Sequence, residues 1–524
     1  MPILTRNNAW NHNGTFDNPD LLWYARGVRE MQSRKFNDLT SWWFFAAIHA
    51  QTMFDNDDPT QPLPLGYPNW KSLPGPPAIP TTDMPTADVM KEYWDQCQHG
   101  TWFFPPWHRG YLYAFENVMR DVINNLPGGP ADWTLPYWNY FGPGNQFKMP
   151  PAFAQLNMPD GSPNPLYVKA RFGPPGGHGN VFIHVGPTSI NQECQRNTVY
   201  TGGNDSGTSG DYGGGVTGFV NFDQHPLFGD LESNPHNGVH NLVGGQFPNG
   251  DDAIMANPQL ASLDPIFYLH HCNIDRMWAA WNKAGNKNPV DPKWLNGPTA
   301  HGDRKFVMPN PDSTAWNYTP SMVNDTSQLN YTYAELDLGV TFAALSKNKL
   351  RLRNLGLLLD DEKDVKEMAE PNRETELVGA TSKPLVVDAT GLQTNVKLDY
   401  KGWGAVAESL QSASLVNLPD EVYLLVEGIK GNRDSIICTV SVNNIDAGHL
   451  YLFGLTMASK KNGHHGGAGL TIKLNITKII DQLHLENAIA TNTLDVKILP
   501  ANIIAKGSEL TIDRIGIYRV TTAE

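Results

Sequence analysis

The spacing of apolar and polar residues divides the chain into two regions with different predicted secondary structure. Up to about residue 330, apolar residues recur at helical intervals, in stretches separated by long loops rich in glycine and proline. Beyond a charged segment at 360–376, short alternating or β-branched runs are separated by turn residues. We therefore expect a mainly α-helical domain followed by an all-β antiparallel sandwich.

Five stretches of the first region have helical patterns, and seven of the second have strand patterns. The predicted helices are LLWYARGVREMQSRK, TSWWFFAAIHAQTMF, YLYAFENVMRDVINNL, PHNGVHNLVGG and LDPIFYLHHCNIDRMWAAWNKA. The predicted strands are KPLVVDA, EVYLLVEGI, SIICTVSVNN, HLYLFGLTM, LTIKLNI, TLDVKIL and LTIDRIGIYRV. We place the first domain at 1–335, a linker at 336–380 and the second domain at 381–524.

Length and composition agree with two globular domains and limit the classes of partner. A chain of 524 residues, 40% of them hydrophobic, is too long for one ordinary core. The formal net charge is −14 and no run of lysine and arginine occurs, so we expect no nucleic-acid partner. No stretch is long and apolar enough for a membrane-spanning helix, so we expect no membrane insertion.

The start of the chain and its cysteines indicate where the protein acts. MPILTRNNAWNHNG lacks the apolar stretch of a signal peptide. Four scattered cysteines, Cys97, Cys194, Cys272 and Cys438, are no disulfide framework and suit a reducing compartment. We expect a cytoplasmic location, with export alongside a signal-bearing partner as the alternative.

The chain has 16 histidines, and two pairs of them are candidates for metal binding. His236 and His240 are four residues apart in PHNGVH, so a helix places both imidazoles on one face, where they can grip one metal ion. His270 and His271 are adjacent, and about 100° of helix rotation separates them. Geometry alone predicts that one of the two faces the metal and leaves open which. The alternative is that these are structural histidines of the core.

Three further histidines lie in aromatic surroundings in the first half of the chain. His49 ends the aromatic stretch SWWFFAAIH, where a buried imidazole needs a partner. His99 and His108 flank a Pro-Pro pair that brings a loop histidine close to a helix histidine. Glu116 and Asp275 are spaced to orient ligating imidazoles. Six histidines in two groups of three favour copper over zinc or iron.

Two motifs carry a resemblance to a known family. HGTWFFPPWHRGYLYAFE and DPIFYLHHCNID resemble the two signature motifs of the type 3 dicopper family, which comprises tyrosinases, catechol oxidases and molluscan haemocyanins. SWWFFAAIH, LPYWNY and YTY match further family segments in the same order, so that the resemblance covers residues 40 to 333. It implies a four-helix bundle around two copper ions.

The resemblance also implies which residues hold the metal. The ligands of the first copper are then His49, His99 and His108, and those of the second copper are His236, His240 and His271. The family motif thus selects His271 over His270. Cys97 stands where fungal tyrosinases and molluscan haemocyanins have a thioether bond, here to His99. The alternative for Cys97 is a plain buried thiol.

Three residues are implied to act in catalysis. Phe267 matches a phenyl ring that buttresses the histidine one turn later. Glu232 and Asn237 resemble the pair that holds a water for deprotonating phenols, which ionise only near pH 10. The alternative is that Asn237 caps its helix and Glu232 interacts with the helix dipole. The chain departs from the family at Asn139, an aspartate in most members.

The function implied is that of an oxidoreductase that uses two copper ions and O₂. It would hydroxylate monophenols at the ortho position and oxidise o-diphenols to o-quinones, with tyrosine and L-DOPA as typical substrates. The alternatives are a catechol or o-aminophenol oxidase without hydroxylase activity, and a haemocyanin-like oxygen carrier. A homo-oligomer is left open by the sequence.

The second domain resembles the C-terminal domain that shields the copper site in latent tyrosinases. SKKNGHHGGAG is one candidate for a plug, because His464 and His465 are potential copper ligands. The alternative is a glycine-rich surface loop, and we assign neither histidine to the site.

Overall fold

A computed structural model describes residues 3–50, 83–173, 190–201, 211–219, 228–337, 347–357, 373–414, 417–460 and 467–522. The candidate plug histidines His464 and His465 lie outside the described residues, as does the end of the second predicted helix. Among the described residues, no helix is both long and apolar enough to cross a membrane.

The first domain is mainly helical. Its helices are α1 (Pro19–Ser33), α2 (Trp42–Ala50), α3 (Ala87–Tyr93), α4 (Phe104–Asn124), α5 (Asn237–Gly244), α6 (Ile266–Lys283), α7 (Pro292–Leu295) and α8 (Pro320–Val323). The Asn18 side chain caps α1 by accepting a hydrogen bond from the Asp20 backbone. In α4 the Pro-Pro pair forms part of the first turn, where a missing N–H costs nothing.

Helices α1, α4 and α6 pack closely around an aromatic core. At Gly27 of α1, a Cβ atom would lie 2.2 Å from the Met119 sulfur of α4, so the absence of a side chain lets the two helices approach. On α4 and α6, Phe115 and Tyr268 stack with ring centroids 3.7 Å apart. This packing fixes the helices that carry the histidines.

Two short sheets close the helical domain. Strand β1 (Leu4–Arg6) pairs in parallel with β4 (Tyr331–Tyr333), and β2 (Phe306–Pro309) pairs antiparallel with β3 (Ala315–Tyr318). The YTY segment therefore lies beside the N-terminal segment. The side chain of Arg6 lies over the Tyr331 ring, 3.8 Å from its centroid.

Helix α9 (Lys347–Asn354) lies between the domains in sequence. The second domain contains β5 (Arg373–Ala380), β6 (Leu385–Val387), β7 (Leu392–Leu398), α10 (Tyr400–Gln411), β8 (Glu421–Ile429), β9 (Ile437–Val442), β10 (Ile445–Tyr451), α11 (Leu455–Ala458), β11 (Leu470–Asn475), α12 (Thr477–Leu485), β12 (Thr493–Pro500), β13 (Leu510–Ile512) and β14 (Arg514–Thr522). Eight strands form one antiparallel sheet in the order β10-β9-β12-β7-β5-β14-β8-β11, and β6 pairs with β13. The predicted fold class, helical domain before antiparallel β domain, is confirmed.

Several elements differ from the predicted ones: β7, α10 and α12 fall outside the predicted stretches, and LTIDRIGIYRV forms two strands, β13 and β14. The segment HLYLFGLTM is not one strand, because β10 ends at Tyr451 and α11 begins at Leu455. Gly454 makes the turn with φ of 90°, a left-handed conformation that favours glycine. The first strand of the large sheet, β5, falls within the segment predicted as linker.

Candidate metal centre

Two groups of buried side chains lie next to each other in the helical domain. The first group is His49, Cys97, His99 and His108, and the second is His236, His240, His270 and His271. Within each group the potential ligand atoms all lie within 4.8 Å of one another. The structure therefore brings all six predicted ligands together in the two predicted groups of three.

The first group combines two helices with a loop. His49 lies in the last turn of α2, His108 lies near the start of α4, and His99 precedes α4. The ring centroids of His99 and His108 are 5.2 Å apart, and His49 lies 5.5 Å from His99. The Nδ1 atom of His108 is 2.9 Å from the Phe104 carbonyl oxygen, one turn earlier in α4. This contact fixes Nδ1 as the donor and leaves Nε2 free to bind a metal.

The second group is built by α5, the residue before it, and α6. The Nδ1 atom of His240 lies 2.9 Å from the Met255 carbonyl oxygen, which orients the ring as in the first group. The Nε2 atoms of His240 and His271 are 3.3 Å apart and so converge on one point. The rings of His108 and His271 stack with centroids 4.6 Å apart, so the two groups share a wall.

Burial keeps these imidazoles in the neutral form that binds metals. It lowers the pKa of His49 and of His236 to about 3. Burial likewise lowers the pKa of His108, His240 and His271 well below the ordinary value. A neutral imidazole is a ligand that suits copper, and it remains available across the physiological pH range.

The hydrogen bonds show that the residues fit a pair of copper ions. The Nε2 atoms of His49 and His236 are buried and have no hydrogen-bond partner among the described residues. A buried nitrogen without a partner is destabilising, and a bound metal removes that cost. Two adjacent groups of converging, neutral nitrogens are suited to two metal ions.

His270 also lies in the second group, although helix geometry predicts that only one of the adjacent histidines faces the metal. Its ring stacks on that of His236 with a centroid distance of 5.3 Å. It lies edge-to-face with His240 at 4.9 Å. Neither ring nitrogen of His270 has a hydrogen-bond partner in the described part of the chain. The choice of His271 as the ligand stays a prediction from the family motif.

Cys97 lies against two of the histidines. Its sulfur is 3.3 Å from Nδ1 of His99 and 3.7 Å from Nε2 of His108. Burial raises the pKa of the Cys97 thiol, so it is protonated at neutral pH. The short distance to the His99 ring is the arrangement that a cross-link between the two side chains requires.

Phe267, Glu232 and Asn237 all adjoin the histidines. The Phe267 ring lies 4.2 Å from that of His271 and 4.6 Å from that of His49. The Asn237 side-chain oxygen is 2.8 Å from Nδ1 of His236, so it orients that ligand. Asn237 therefore contacts a predicted ligand through its side chain, and its catalytic role stays a prediction.

Glu232 is a buried carboxyl group at the edge of the site. Both of its oxygens accept the backbone N–H of Gly100, each at 3.0 Å. Burial raises the pKa of Glu232 well above the ordinary value, and the Gly100 hydrogen bond opposes this effect in part. A carboxylate with a raised pKa accepts a proton more readily than an exposed one.

Glu116 and Asp275 do not orient the histidines as the sequence suggests. Glu116 accepts hydrogen bonds from Arg6 and Arg120, and Asp275 accepts them from Arg6 and Arg109. They belong to a buried ionic network behind the site. Sequence spacing does not distinguish a carboxylate facing a histidine from one facing an arginine.

Asn139, the departure from the family pattern, joins this outer layer. Its side-chain oxygen accepts from Arg276 at 3.2 Å and from the Phe141 backbone at 3.3 Å. The amide therefore accepts a hydrogen bond from Arg276 without carrying a negative charge.

Phe453 of the second domain also reaches the site, and sequence reasoning missed it. Its ring stacks on His240 with centroids 4.1 Å apart and planes 17° apart. It also approaches His236 at 5.8 Å and His99 at 6.1 Å. Phe453 lies in the turn between β10 and α11, inside a segment predicted as strand. An apolar residue in a predicted strand is usually core, so no local signal distinguished it.

Further contacts hold the second domain over α5. The Asn241 side chain donates to the Asp434 carbonyl oxygen at 2.7 Å. At Gly238, a Cβ atom would lie 3.1 Å from the Tyr451 ring. Lys473 of β11 pairs with Asp230 at 3.2 Å. We call the second domain the lid, because it covers α5, which carries His240 and directly follows His236.

Comparisons with known proteins agree with this arrangement. A family model described as the common central domain of tyrosinase matches residues 39–284. A second model, Domain of unknown function (DUF7868), matches residues 374–520. The two matches cover the domain with the histidines and the lid, respectively.

Relatives match one or both domains. Tyrosinase HcTyr1 of Hahella sp. (strain CCB-MM4) is 30% identical over 523 residues, which is 95% of this chain and 96% of that protein. The chloroplastic polyphenol oxidase of Malus domestica is 27% identical over 66% of this chain and 55% of that protein. The solved structure of latent apple tyrosinase has a TM-score of 0.59 at 21% identity and covers 99% of this chain and 98% of that chain. At 21% sequence identity, the structural similarity establishes a shared fold and nothing beyond it.

The chain belongs to the tyrosinase family of type 3 copper proteins. Its two groups of buried histidines form the dinuclear copper site of that family, in which O₂ is the co-substrate. It is accordingly a copper-dependent oxidoreductase that oxidises phenols.

Proposed function

We propose that the protein is a latent tyrosinase. It hydroxylates monophenols at the ortho position, oxidises o-diphenols to o-quinones, and is shielded by its lid until the lid moves. The observation that supports this most directly is the dinuclear histidine site, with a buried carboxyl group at its edge and a phenylalanine ring of the lid stacked on a predicted ligand.

The ligands in this proposal are the three histidines of each group that the family motif selects. His49, His99 and His108 hold the first copper, and His236, His240 and His271 hold the second. When bound, the copper pair supplies O₂ activation and accepts electrons from the phenol. The carbonyls of Phe104 and Met255 keep two of the ligands in the required tautomer.

The ring of the substrate takes the place that Phe453 occupies in the closed structure. That place offers the face of the His240 ring, which suits stacking of a phenol such as tyrosine or L-DOPA. Phe267 packs behind His271 and His49 and keeps both imidazoles from turning. Stacking on His240 would hold the substrate ring in one orientation, which lowers the entropic cost of a reaction at its ortho position.

Glu232 and Asn237 account for the hydroxylase step. A phenol ionises near pH 10, so a local base helps it to bind as phenolate. Glu232 takes up this proton through a water held with Asn237, because burial makes its carboxylate a better proton acceptor than an exposed one. Asn237 at the same time keeps His236 oriented.

A catechol or o-aminophenol oxidase without hydroxylase activity is the second candidate. One contact favours it: the Gly100 N–H bound to both Glu232 oxygens stabilises the ionised form and weakens the base. O-diphenols need less help from a base than monophenols, so the oxidation of diphenols would persist.

Cys97 and His99 are proposed to form a thioether bond. The 3.3 Å separation of the sulfur from the His99 ring supports it. Mass spectrometry of the peptide that contains both residues is expected to find it lighter by two hydrogens. An unchanged mass with an alkylatable Cys97 would contradict the cross-link.

A reducing, cytoplasmic location is part of the proposal. The four cysteines are buried and form no disulfide, as expected of a protein that does not rely on disulfides.

The test of the proposed function uses the copper-loaded full chain. Oxidation of tyrosine and of L-DOPA is measured before and after the chain is cut near residue 370, within the charged segment at 360–376. We call this segment the connector. We expect low activity before cleavage, higher activity after it, and a lag phase with tyrosine. Turnover of L-DOPA alone would assign the second candidate, and reversible oxygen binding without turnover would assign an oxygen carrier.

A further inference from the structure

Two carboxyl groups meet where the lid contacts the helical domain. Asp252 lies in the loop that follows α5, and Asp434 lies in the loop between β8 and β9 of the lid. Asp434 is 2% exposed. Neither group touches the histidines, and the proposed catalytic steps use neither of them.

Asp252 is bound almost entirely by the lid. One carboxylate oxygen accepts the Asp434 backbone N–H at 3.0 Å. The other accepts the Ser435 backbone N–H at 2.9 Å and the Ser435 hydroxyl at 2.5 Å. Three donors identify Asp252 as the ionised member of the pair.

Asp434 connects this contact to α5, the helix that carries His240, and to α11, which follows the turn that carries Phe453. Its carboxyl group accepts the Thr456 backbone N–H of α11 at 2.7 Å. Its carbonyl oxygen accepts from Asn241, the residue after His240. Movement of Asp434 therefore changes contacts on both sides of the closed site.

The charges around the pair are unevenly balanced. Lys460 lies near Asp434, and Arg433 lies near Asp252 but also pairs with Asp251 at 2.7 Å. The neutral side chains of Asn241 and Asn502 donate to the carbonyl oxygens of Asp434 and Ser435, and Gln246, in the loop that follows α5, accepts the Ile503 backbone N–H. Three carboxyl groups thus face two cations at the interface.

Closure of the lid favours protonation of the pair. Burial, together with the negative charge of Asp252, raises the pKa of Asp434 well above its ordinary value. Burial also raises the pKa of Asp252, although its hydrogen bonds and Arg433 oppose the effect. When the lid opens, both groups return to water and to ordinary carboxyl pKa values.

We propose that Asp252 and Asp434 form a proton-dependent latch, which holds the lid closed at low pH and weakens as the pH rises. The latch regulates the enzyme in so far as the proposed latency holds. Because the closed state binds more protons than the open state, the latch stabilises the closed state fully when the pH is below the ordinary carboxyl pKa. It is lost progressively as the pH rises towards the raised value of the closed state.

The size of the effect follows from linkage. For one proton released on opening, the opening constant rises about tenfold per pH unit between the two pKa values. The effect belongs to the lid and is separate from any pH dependence of the copper chemistry.

Hydrogen exchange of the full-length, copper-loaded protein tests the latch without reference to activity. Opening constants of the interface amides are measured from about pH 5 to about pH 9, with correction for intrinsic exchange rates. The parent protein is expected to open more readily as pH rises. Asp434→Asn keeps the shape and neutral charge of the protonated acid, so its opening is expected to depend on pH much less than that of the parent, with Asp252 as the remaining titrating group.

Two further variants separate the latch from a general loss of structure. Lys460 is exposed, and Lys460→Gln removes a cation that favours ionised Asp434, so opening is expected at higher pH than in the parent. Asp513→Asn, at a lid carboxylate that pairs with Lys430, is the control and is expected to follow the parent.

The proposal is overturned if opening of the parent does not change with pH, or if Asp434→Asn and the parent respond alike. Because the measurement needs no turnover, a working latch in an inactive protein would refute the proposed function and leave the latch standing. If activity rises after cleavage in a protein whose lid opening is independent of pH, the result would support the proposed function and refute the latch.

Discussion

At the scale of single residues, the site depends on the protonation state of its imidazoles. Burial lowers the pKa values of the histidines enough that they present neutral nitrogens at physiological pH. Backbone carbonyls then decide which nitrogen of His108 and of His240 carries the proton. The same burial raises the pKa of Glu232, the carboxyl group that we propose as the base.

Copper stoichiometry distinguishes the adjacent histidines His270 and His271. His271→Ala removes a nitrogen that converges with that of His240, so bound copper is expected to fall from about two ions per chain to about one. His270→Ala is expected to retain both ions. Metal content by atomic absorption checks this. Equal losses in the two variants would contradict the choice of His271 as the ligand.

Phe453→Ala is expected to activate the uncut protein. Loss of a buried aromatic ring at an interface costs about 2 kcal/mol or more, which corresponds to a roughly 30-fold larger open fraction. L-DOPA oxidation by the full chain, relative to the cleaved chain, measures the gain. Tyr400→Ala, at an exposed lid residue, is the control. Unchanged latency in Phe453→Ala would remove this ring from the shielding mechanism.

At the scale of elements, a helix of the linker is attached to the lid. Arg351 of α9 forms a bidentate ion pair with Asp481 of α12, in which Nε and Nη2 donate to the two carboxylate oxygens at 2.8 and 2.7 Å. It also donates to the carbonyl oxygens of Pro419 and Asp420. Since α9 precedes the connector at 360–376, it stays joined to the helical domain when the connector is cut. The cut lid is therefore still held by α9.

We expect Arg351→Ala to speed loss of the lid after cleavage of the connector. Hydrogen bonds to a charged group contribute about 1.5–3 kcal/mol, so the cut lid should be released measurably faster. Size-exclusion chromatography after cleavage follows the release. Lys478→Ala, on the exposed face of α12, serves as the matched control. Equal release from all three proteins would show that α9 does not retain the lid.

At the scale of the whole molecule, a buried ionic network joins distant parts of the helical domain. Asp275 of α6 accepts hydrogen bonds from Arg6 of β1, Arg109 of α4, and Tyr331 and Tyr333 of β4. Burial alone would raise the pKa of Asp275, but the charges of the two arginines bring it below the ordinary value. The network fixes α4 and α6, and with them two of the predicted ligands.

Asp275→Asn is expected to destabilise the protein by about 3–5 kcal/mol at pH 7, because it removes the counter-ion of the buried Arg109 and one of the two counter-ions of Arg6. The Asp275 contribution is present above the ordinary carboxyl pKa and is lost as the pH falls through the lowered value. The difference from the parent should therefore shrink in acid. Urea unfolding at pH 7 and at about pH 3 checks this, with Asp121→Asn on the exposed side of α4 as control.

The sequence by itself determined the elements whose patterns are local. The helices that carry His108 and His271 and the strand Glu421–Ile429 follow from apolar spacing, and β8 has the predicted bounds. Strand β5 and helices α10 and α12 gave no clear pattern. Several side chains of β5 are exposed, so the strand has no continuous apolar run. The burial of α10 and α12 depends on the sheet against which they pack.

The sequence also supplied the two groups of histidines, because ligand spacing and motif order are local properties of the chain. Only the tertiary structure decided what faces them. It placed Phe453 on His240 from a domain more than 200 residues away, and it directed Glu116 and Asp275 to arginines. Contacts between residues so distant in sequence leave no periodic trace, since each side chain looks locally like ordinary core or surface. The ligands are therefore readable from the chain, whereas the closure of the site is a property of the folded molecule.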